Sequence, residues 1–374
     1  MTLVLFFILS LYILFIAQLI YGFNKLESYE KTEKKPITAF SIIVPFRNEE
    51  KNLPKLLKSI SNLNYPVELL EIILVDDFST DASERICINW RLANGLIEST
   101  LLENLRLSNS PKKDAISRAI PIVKNKWIIT TDADCIVPKN WLQTLDNFIQ
   151  NKQPEMVVGA VVYKTKNNWF HHFQQLDLMS LQGTTIGSFG LGKPFMCNGA
   201  NFAYTKNLFQ EIGGFSGINN TASGDDVLLL QKAIAYTKDK VCYLKNEDFI
   251  VKTKPINDFY ELFIQRVRWA SKTSSYQTNY PKLLAVIVLA MNVSLVVSFG
   301  LWYFGKFDLR LFAMALILKY GIDYVLLYKT NGYLRNKALI PPLASSLFYP
   351  IFSSFVGIYS LFGSFNWKGR KFKK

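Results

Sequence analysis

Residues 129 to 137 read ITTDADCIV, an apolar, β-prone run that ends in two carboxylates one residue apart, Asp132 and Asp134. Two acids so close repel each other, and a fold keeps them together only where a cation or hydrogen-bond donors offset that repulsion. A hard divalent metal ion is one such cation. The other reading of an isolated D-x-D is a plain turn, in which aspartate solvates the end of a strand. Neighbouring sequence has to separate the two.

Apolar β-type runs recur on either side: FSIIVPF (40–46), EIILVDD (71–77), KWIITTDAD (126–134) and EMVVGAVVY (155–163). Between the first two, Leu53, Leu56, Leu57 and Ile60 repeat at helical spacing. Between the second and third lies SPKKDAISRAIPIV, another short helix. Strands separated by helices predict a mainly parallel sheet with crossovers, so the fold class is α/β. Ligands of such sheets bind beyond the carboxyl ends of the strands. Asp76-Asp77 and Asp132-x-Asp134 both fall at such ends, which favours a ligand site over a plain turn. Further along, Asp225 and Asp226 open the apolar helix of SGDDVLLL, where acids also serve as simple N-caps.

The polar domain sits between apolar segments. Residues 1–23 and 283–305 carry no charged side chain, and each is long enough to cross a bilayer as a helix, which takes roughly 20 apolar residues. Leu311 to Tyr328 is apolar except for Lys319 and Asp323, four apart and able to pair along one helix face. Leu339 to Gly363 is uncharged but interrupted by Pro341, Pro342 and Pro350. The expected organisation is a transmembrane anchor (1–23), a basic linker (24–37), a domain with interfacial helices (38–282), a C-terminal membrane region of two to three spans or a re-entrant segment (283–364), and a basic tail (365–374). The first segment lacks the basic n-region and the cleavage site of a signal peptide, and so reads as a retained anchor.

Lys25, Lys31, Lys34 and Lys35 follow the first segment and Lys272 and Lys282 precede the second. They place the central domain on the cytoplasmic side of an inner membrane. The basic tail asks for the same side, yet four simple spans would put it opposite; a re-entrant or broken fourth segment resolves the conflict. A net charge of +14 suits anionic headgroups and a polyphosphate ligand. No nucleic-acid-binding motif or basic stripe with interleaved aromatics accompanies it, so nucleic acid is not expected as a partner. The four cysteines are far apart and form no C-x-x-C pair, which reads as reduced thiols. The only histidines, His171 and His172, read as surface or interface residues. NWFHHFQQLDLM (168–179) and DFYELFIQRVRW (258–269) read as helices in the headgroup plane, with core packing as the alternative.

The ordered set SIIVPFRNEE, LVDDFSTD, KK-A, TDADC, FMCNGAN, SGDD and QRVRW resembles the family 2 glycosyltransferases of the GT-A fold. That group contains cellulose, chitin and hyaluronan synthases and ceramide glucosyltransferases. The resemblance covers about residues 38 to 275, and implies a Rossmann-like nucleotide-sugar-binding domain. It implies Mg²⁺ or Mn²⁺ on Asp134 with Asp132 beside it, which suits hard oxygen ligands. It assigns Asp77, with Asp76, to the base and ribose of a nucleotide-diphosphate sugar, and lines that pocket with Pro45, Arg47 and Glu49. Lys113 takes the place of a donor-contacting lysine, or is a solvated helix lysine. Asp226, preceded by Asp225 where glutamate is common and by Gly224 in place of threonine, matches the catalytic base. Q-x-x-R-W falls on Gln265, Arg268 and Trp269, with Arg268 for the leaving diphosphate and the other two for the acceptor. Asn198, Gly199 and Asn201 are candidates for the acceptor pocket, although Gly199 also reads as a turn glycine.

The implied reaction is inverting, metal-dependent transfer to a membrane lipid or lipid-linked acceptor. A processive polysaccharide synthase subunit is the alternative within the class. A catalytically silent membrane scaffold that binds a nucleotide or partner synthase is the alternative outside it.

Overall fold

The computed structural model describes residues 1–166, 168–219, 224–334, 343–362, 365–367 and 370–372. The chain opens with α1 (Thr2–Lys25), then β1 (Phe40–Phe46), α2 (Leu53–Ser61), β2 (Leu70–Asp76), α3 (Ser83–Ala93), β3 (Glu98–Glu103), α4 (Pro111–Ala119) and β4 (Trp127–Thr130). It continues through α5 (Trp141–Lys152), β5 (Met156–Val158), β6 (Val161–Tyr163), α6 (Trp169–Gly190), β7 (Phe202–Thr205), α7 (Lys206–Glu211), α8 (Val227–Thr237), β8 (Val241–Tyr243) and β9 (Val251–Thr253). The remainder is α9 (Phe259–Ala270), α10 (Asn279–Tyr303), α11 (Leu309–Leu334), α12 (Leu343–Phe362), β10 (Phe365–Trp367) and β11 (Arg370–Phe372). Two compact units result: a sheet unit, Glu27–Lys164 with Met196–Lys254, and a helical unit from the remaining three segments.

The sheet unit is built on seven strands in the order β3-β2-β1-β4-β7-β5-β8. β3, β2, β1 and β4 run parallel, and β7 enters antiparallel between β4 and β5. β1 and β2 are continuous apolar runs because they are covered on both faces. Leu53, Leu56, Leu57 and Ile60 of α2 are buried, as their spacing predicts. EMVVGAVVY is two strands rather than one: β5 stays in the main sheet and β6 pairs with β9 in a second one. The switch occurs at Gly159, where an added Cβ would lie 2.2 Å from Asn201 Nδ2 and 2.5 Å from the Phe249 ring. The lysine-rich linker is bound along α5. Tyr29 Oη donates to Asn147 Oδ1 (2.6 Å), Thr32 N donates to the same oxygen (2.9 Å) and Thr38 N donates to Asp146 Oδ1 (3.1 Å).

Among its described residues the helical unit contains four helices long and apolar enough to cross a membrane: Thr2–Lys25, Asn279–Tyr303, Leu309–Leu334 and Ala344–Phe362. Glycines let α1 and α6 meet backbone to backbone; a Cβ on Gly187 would lie 2.4 Å from Leu19 O and one on Gly190 only 1.8 Å from Gly22 O. Lys319 and Asp323 form the expected i,i+4 pair at 2.6 Å, and Tyr12 Oη donates to the same carboxylate at 2.6 Å. The fourth segment is one helix from Leu343 to Phe362 with Pro350 inside it, while Pro341 and Pro342 lie outside the described residues.

Two expectations are corrected here. α6 is buried on most of its circumference within the helical unit, not laid on a surface. Both histidines are buried with it: His171 accepts from Lys166 N at 3.1 Å, bonds Asn257 Oδ1 at 3.1 Å through its other nitrogen, and has its own backbone N–H capped by Asn168 Oδ1.

Asn201 ties the sheet unit together from a fully buried position. It accepts from Trp141 Nε1 (3.0 Å) and donates to Ala160 O (2.9 Å) and Phe249 O (2.6 Å). Asn201→Ala therefore leaves three buried partners without their bonds and is expected to cost about 3 kcal/mol or more. Chemical denaturation of the solubilised protein checks this, and an unchanged midpoint contradicts it.

Candidate active site

The carboxyl end of β4 leads into a turn closed by Cys135 N donating to Asp132 O (3.1 Å), with both Asp132 and Asp134 partly exposed. β4 follows β1 in parallel register, so this turn lies at the sheet rim where parallel α/β sheets bind ligands. Facing it, the loop before α8 presents Asp225 and Asp226. Asp226 caps that helix by accepting from Val227 N (2.7 Å), and its other oxygen accepts from Gly199 N (3.0 Å). Gly199 is held from behind by Thr130 Oγ1, which donates to its carbonyl at 2.8 Å. A Cβ on Gly199 would lie 3.1 Å from both Asp225 Oδ2 and Lys112 Nζ and 3.3 Å from Asp226 Cβ, so glycine is what lets this loop approach the acids.

Among the acids stands Lys112, from the first turn of α4. Its ammonium lies 2.6 Å from Asp132 Oδ1 and 3.0 Å from Asp225 Oδ2. Burial works against the charge, but the fields of Asp132, Asp225 and Asp226 outweigh it and hold the lysine well above its ordinary pKa. Its contribution to folding is therefore complete below the unfolded lysine pKa of about 10.4 and is lost only as pH rises through the higher folded value. Lys113, the lysine singled out from the sequence, is 1% exposed and donates to Ile218 O at 2.6 Å. The residue that meets the acids is its neighbour. Asp114 shapes the approach to α4 by accepting from Leu107 N, Ser108 N and Ser108 Oγ.

A second group of site candidates gathers at the ends of β1 and β2. Asp77 Oδ1 accepts from Asn104 Nδ2 and from Arg106 Nε, each at 2.8 Å, and the Arg106 guanidinium lies 4.6 Å from the centroid of the Phe78 ring. Arg47 donates to the carbonyls of Asp77 (2.7 Å) and Phe78 (3.1 Å). Asp76 accepts from Ser79 N and Oγ, and Glu49 from Asn52 Nδ2. Pro45 lies in β1 opposite Val75. Asn48 and Phe78 adopt positive φ of 53° and 58°, uncommon for residues with a Cβ and a mark of functional loops. Arg106 and Asn104 escaped the sequence reading; the one signal for Arg106 was a basic residue just past an edge strand.

The remaining candidates divide. Asn198 caps the short turn at Gly199 by accepting from Ala200 N. Asn201 is enclosed and committed to the core as described. Gln265, Arg268 and Trp269 lie on α9 of the helical unit. There Arg266, which the motif passes over, pairs with buried Asp177, donates to Gln265 Oε1, and stacks 4.3 Å from the Trp269 ring centroid.

Among the described residues no group of three or more His, Cys, Asp and Glu is arranged as a metal cage. The donor set present is the two partly exposed carboxylates of Asp132 and Asp134, which fits Mg²⁺ or Mn²⁺ shared with a substrate phosphate. Cys135 adds no soft ligand: burial, then Asp134 and Asp132, push its thiol well above the ordinary range and keep it protonated.

Strand-end acids on a parallel sheet, with a glycine loop and a lysine between them, make up the candidate site. Residues 41–213, a little under half of the chain, match the family model described as Glycosyl transferase family 2, and with the relatives that follow this marks a glycosyltransferase enzyme. It is similar to the glycosyltransferase GlyG of Streptococcus pneumoniae, 25% identical over 226 residues, 57% of this chain and 73% of that protein. It is 29% identical over 175 residues to the beta-monoglucosyldiacylglycerol synthase of a Nostoc species, covering 45% of this chain and 37% of that one. Among solved structures, the mannosyltransferase PcManGT of Pyrobaculum calidifontis shares the fold, with a TM-score of 0.61, 17% identity and coverage of 96% and 98% of the two chains.

Replacing Lys112 by methionine removes the charge that faces a leaving diphosphate and is expected to lower sugar transfer by about 10²-fold with little change in melting temperature. Lys113→Met is expected to lower the melting temperature with little change in transfer, because the Ile218 carbonyl loses its donor. Turnover and thermal unfolding of both variants check this assignment, and an exchange of the two phenotypes contradicts it.

Proposed function

We propose that the protein transfers a sugar from a nucleotide-diphosphate sugar, a UDP-sugar by the resemblance of its base pocket, to a membrane lipid or lipid-linked acceptor with inversion at the anomeric carbon. The observation that carries this reading is the cluster of Asp132, Asp225 and Asp226 around the Lys112 ammonium, at 2.6 and 3.0 Å from the first two. Such a cluster attracts cations and repels free anions, and a divalent ion held there would let it accept a diphosphate. A bound Mg²⁺ or Mn²⁺ would neutralise charge on the leaving diphosphate, with Asp132 and Asp134 as its protein ligands.

The chain's own residues account for the rest. Asp77, fixed by Arg106 and Asn104, offers an acceptor to the base. Lys112 turns its charge toward the diphosphate as the C1–O bond to phosphate breaks. Asp226, oriented by the N–H groups of Gly199 and Val227, takes the proton of the acceptor hydroxyl as the new C1–O bond forms. One displacement inverts the anomeric carbon. PcManGT was solved with GDP-Man and Mn²⁺, which supports the same donor class and metal here.

A lipid acceptor is supported by the four membrane-length helices and by a relative named for diacylglycerol glycosylation. The lysines after α1 support a cytoplasmic active site at the inner membrane.

Asp226→Asn is expected to lower transfer by about 10²- to 10⁴-fold while donor affinity stays within about threefold of the parent, as expected for a group that acts only in the transition state. Mass spectrometry of lipids from cells with the parent or the variant reads product and acceptor together. A long polymer as product, a loss of donor binding in the variant, or unchanged transfer contradicts the reading.

A further inference from the structure

We propose that α12 does not cross the bilayer. It lies within the leaflet on the side where α10 begins, so the chain crosses three times and its basic tail returns to that side.

The argument starts from counting crossings. α9 ends at Ala270, shortly before α10 begins at Asn279, so α9 lies on the N-terminal side of that span. β10, in the tail beyond α12, packs against α9. The tail is therefore on the N-terminal side of α10 as well. α10 leads away from that side and α11, antiparallel in sequence order, leads back to it. α12 then begins and ends on one side, and a single continuous helix of 20 residues satisfies this only by staying within one leaflet.

The packing of α12 agrees. One face lies along α9: Phe259 meets Phe348 and Phe352 with ring centroids 6.1 and 5.9 Å apart, and Phe263 meets Phe352 and Tyr359 at 6.4 and 5.5 Å. α9 carries Glu261, Arg266 and Arg268, and a helix so charged is costly in hydrocarbon. Its companion is therefore held near the same interface. α12 meets α10 through Asn292 Nδ2 donating to Ser353 Oγ (3.3 Å) and through Leu289 against Gly357. At 1.5 Å per residue these points lie roughly 15 to 20 Å along α10 from Asn279, about one leaflet deep in a core of about 30 Å.

The other face of α12 is what lipid would cover. Leu347, Ile351, Phe355, Ile358 and Phe362 are exposed at spacings of three and four and form one apolar stripe. α12 is also the least apolar of the four membrane-length helices. It runs into Lys368, Arg370, Lys371, Lys373 and Lys374. An apolar stripe followed in sequence by five cationic residues matches acyl chains under anionic headgroups, the partner of an interfacial helix. It also removes the conflict between four spans and a basic tail on the side of the basic linker.

Three cysteine variants of the full chain test the proposal: Glu33→Cys in the linker, Lys306→Cys between α10 and α11, and Lys371→Cys in the tail. Each is labelled with a membrane-impermeant maleimide in sealed, right-side-out vesicles and again after permeabilisation, read peptide by peptide, with thermal unfolding as the check that each variant is folded. Positions 33 and 371 are expected to share one pattern and position 306 to show the opposite one. Position 371 behaving like 306 would mean that α12 spans, and 33 behaving like 306 would mean that α10 does not; either result overturns the proposal.

Discussion

The ammonium of Lys112, held between Asp132 and Asp225, is the interaction on which the active site depends. Without a cation at that point, the carboxylates of Asp132, Asp225 and Asp226, brought from two separate segments, would face one another uncompensated. The fold brings them together from different directions. β4 delivers Asp132 and Asp134, α4 delivers the lysine, and the start of α8 delivers Asp225 and Asp226. Gly199 closes the gap because a Cβ there would crowd the acids and the lysine, at 3.1 to 3.3 Å. The same concentration of negative charge that surrounds Lys112 is where the proposed function would place a divalent ion with its diphosphate.

The end of the site at Asp77 follows a different logic. Asp77 sits in a frame of donors from Asn104 and Arg106, and two residues with positive φ turn the backbone there. Such a frame fixes the direction of the carboxylate, as the proposed contact with a nucleotide base requires. The two halves of the candidate site thus differ: one is organised by hydrogen bonds around Asp77, the other by charge balance around Lys112.

The sequence discloses some of this readily. β1, β2 and β4 are apolar runs long enough to stand out because a doubly covered parallel strand has no polar face, and α2 announces itself through Leu53, Leu56, Leu57 and Ile60. β3 escapes because it is an edge strand with a mixed surface, ESTLLE, that no periodicity rule separates from a loop. The division of residues 155–163 between two sheets turns on a contact between Gly159 and residues more than forty positions away, which no local pattern encodes. Adjacent lysines pose the same difficulty. Lys112 and Lys113 are chemically identical, and only the phase of α4 decides which one meets the acids and which one a buried carbonyl. The buried histidines of α6 were legible as an aromatic-rich helix but not as core, because polar residues satisfied by distant partners look like a solvated face in one dimension.

The central claim is that the acidic cluster at the sheet rim is built for a cation carrying a nucleoside diphosphate. Electron paramagnetic resonance of Mn²⁺ titrated into the intact protein with UDP or GDP tests it most directly. The account predicts a single bound Mn²⁺ whose affinity rises at least tenfold with the nucleotide and whose signal disappears in Asp132→Asn. Uptake that ignores both the nucleotide and that substitution, or no uptake at all, would contradict it.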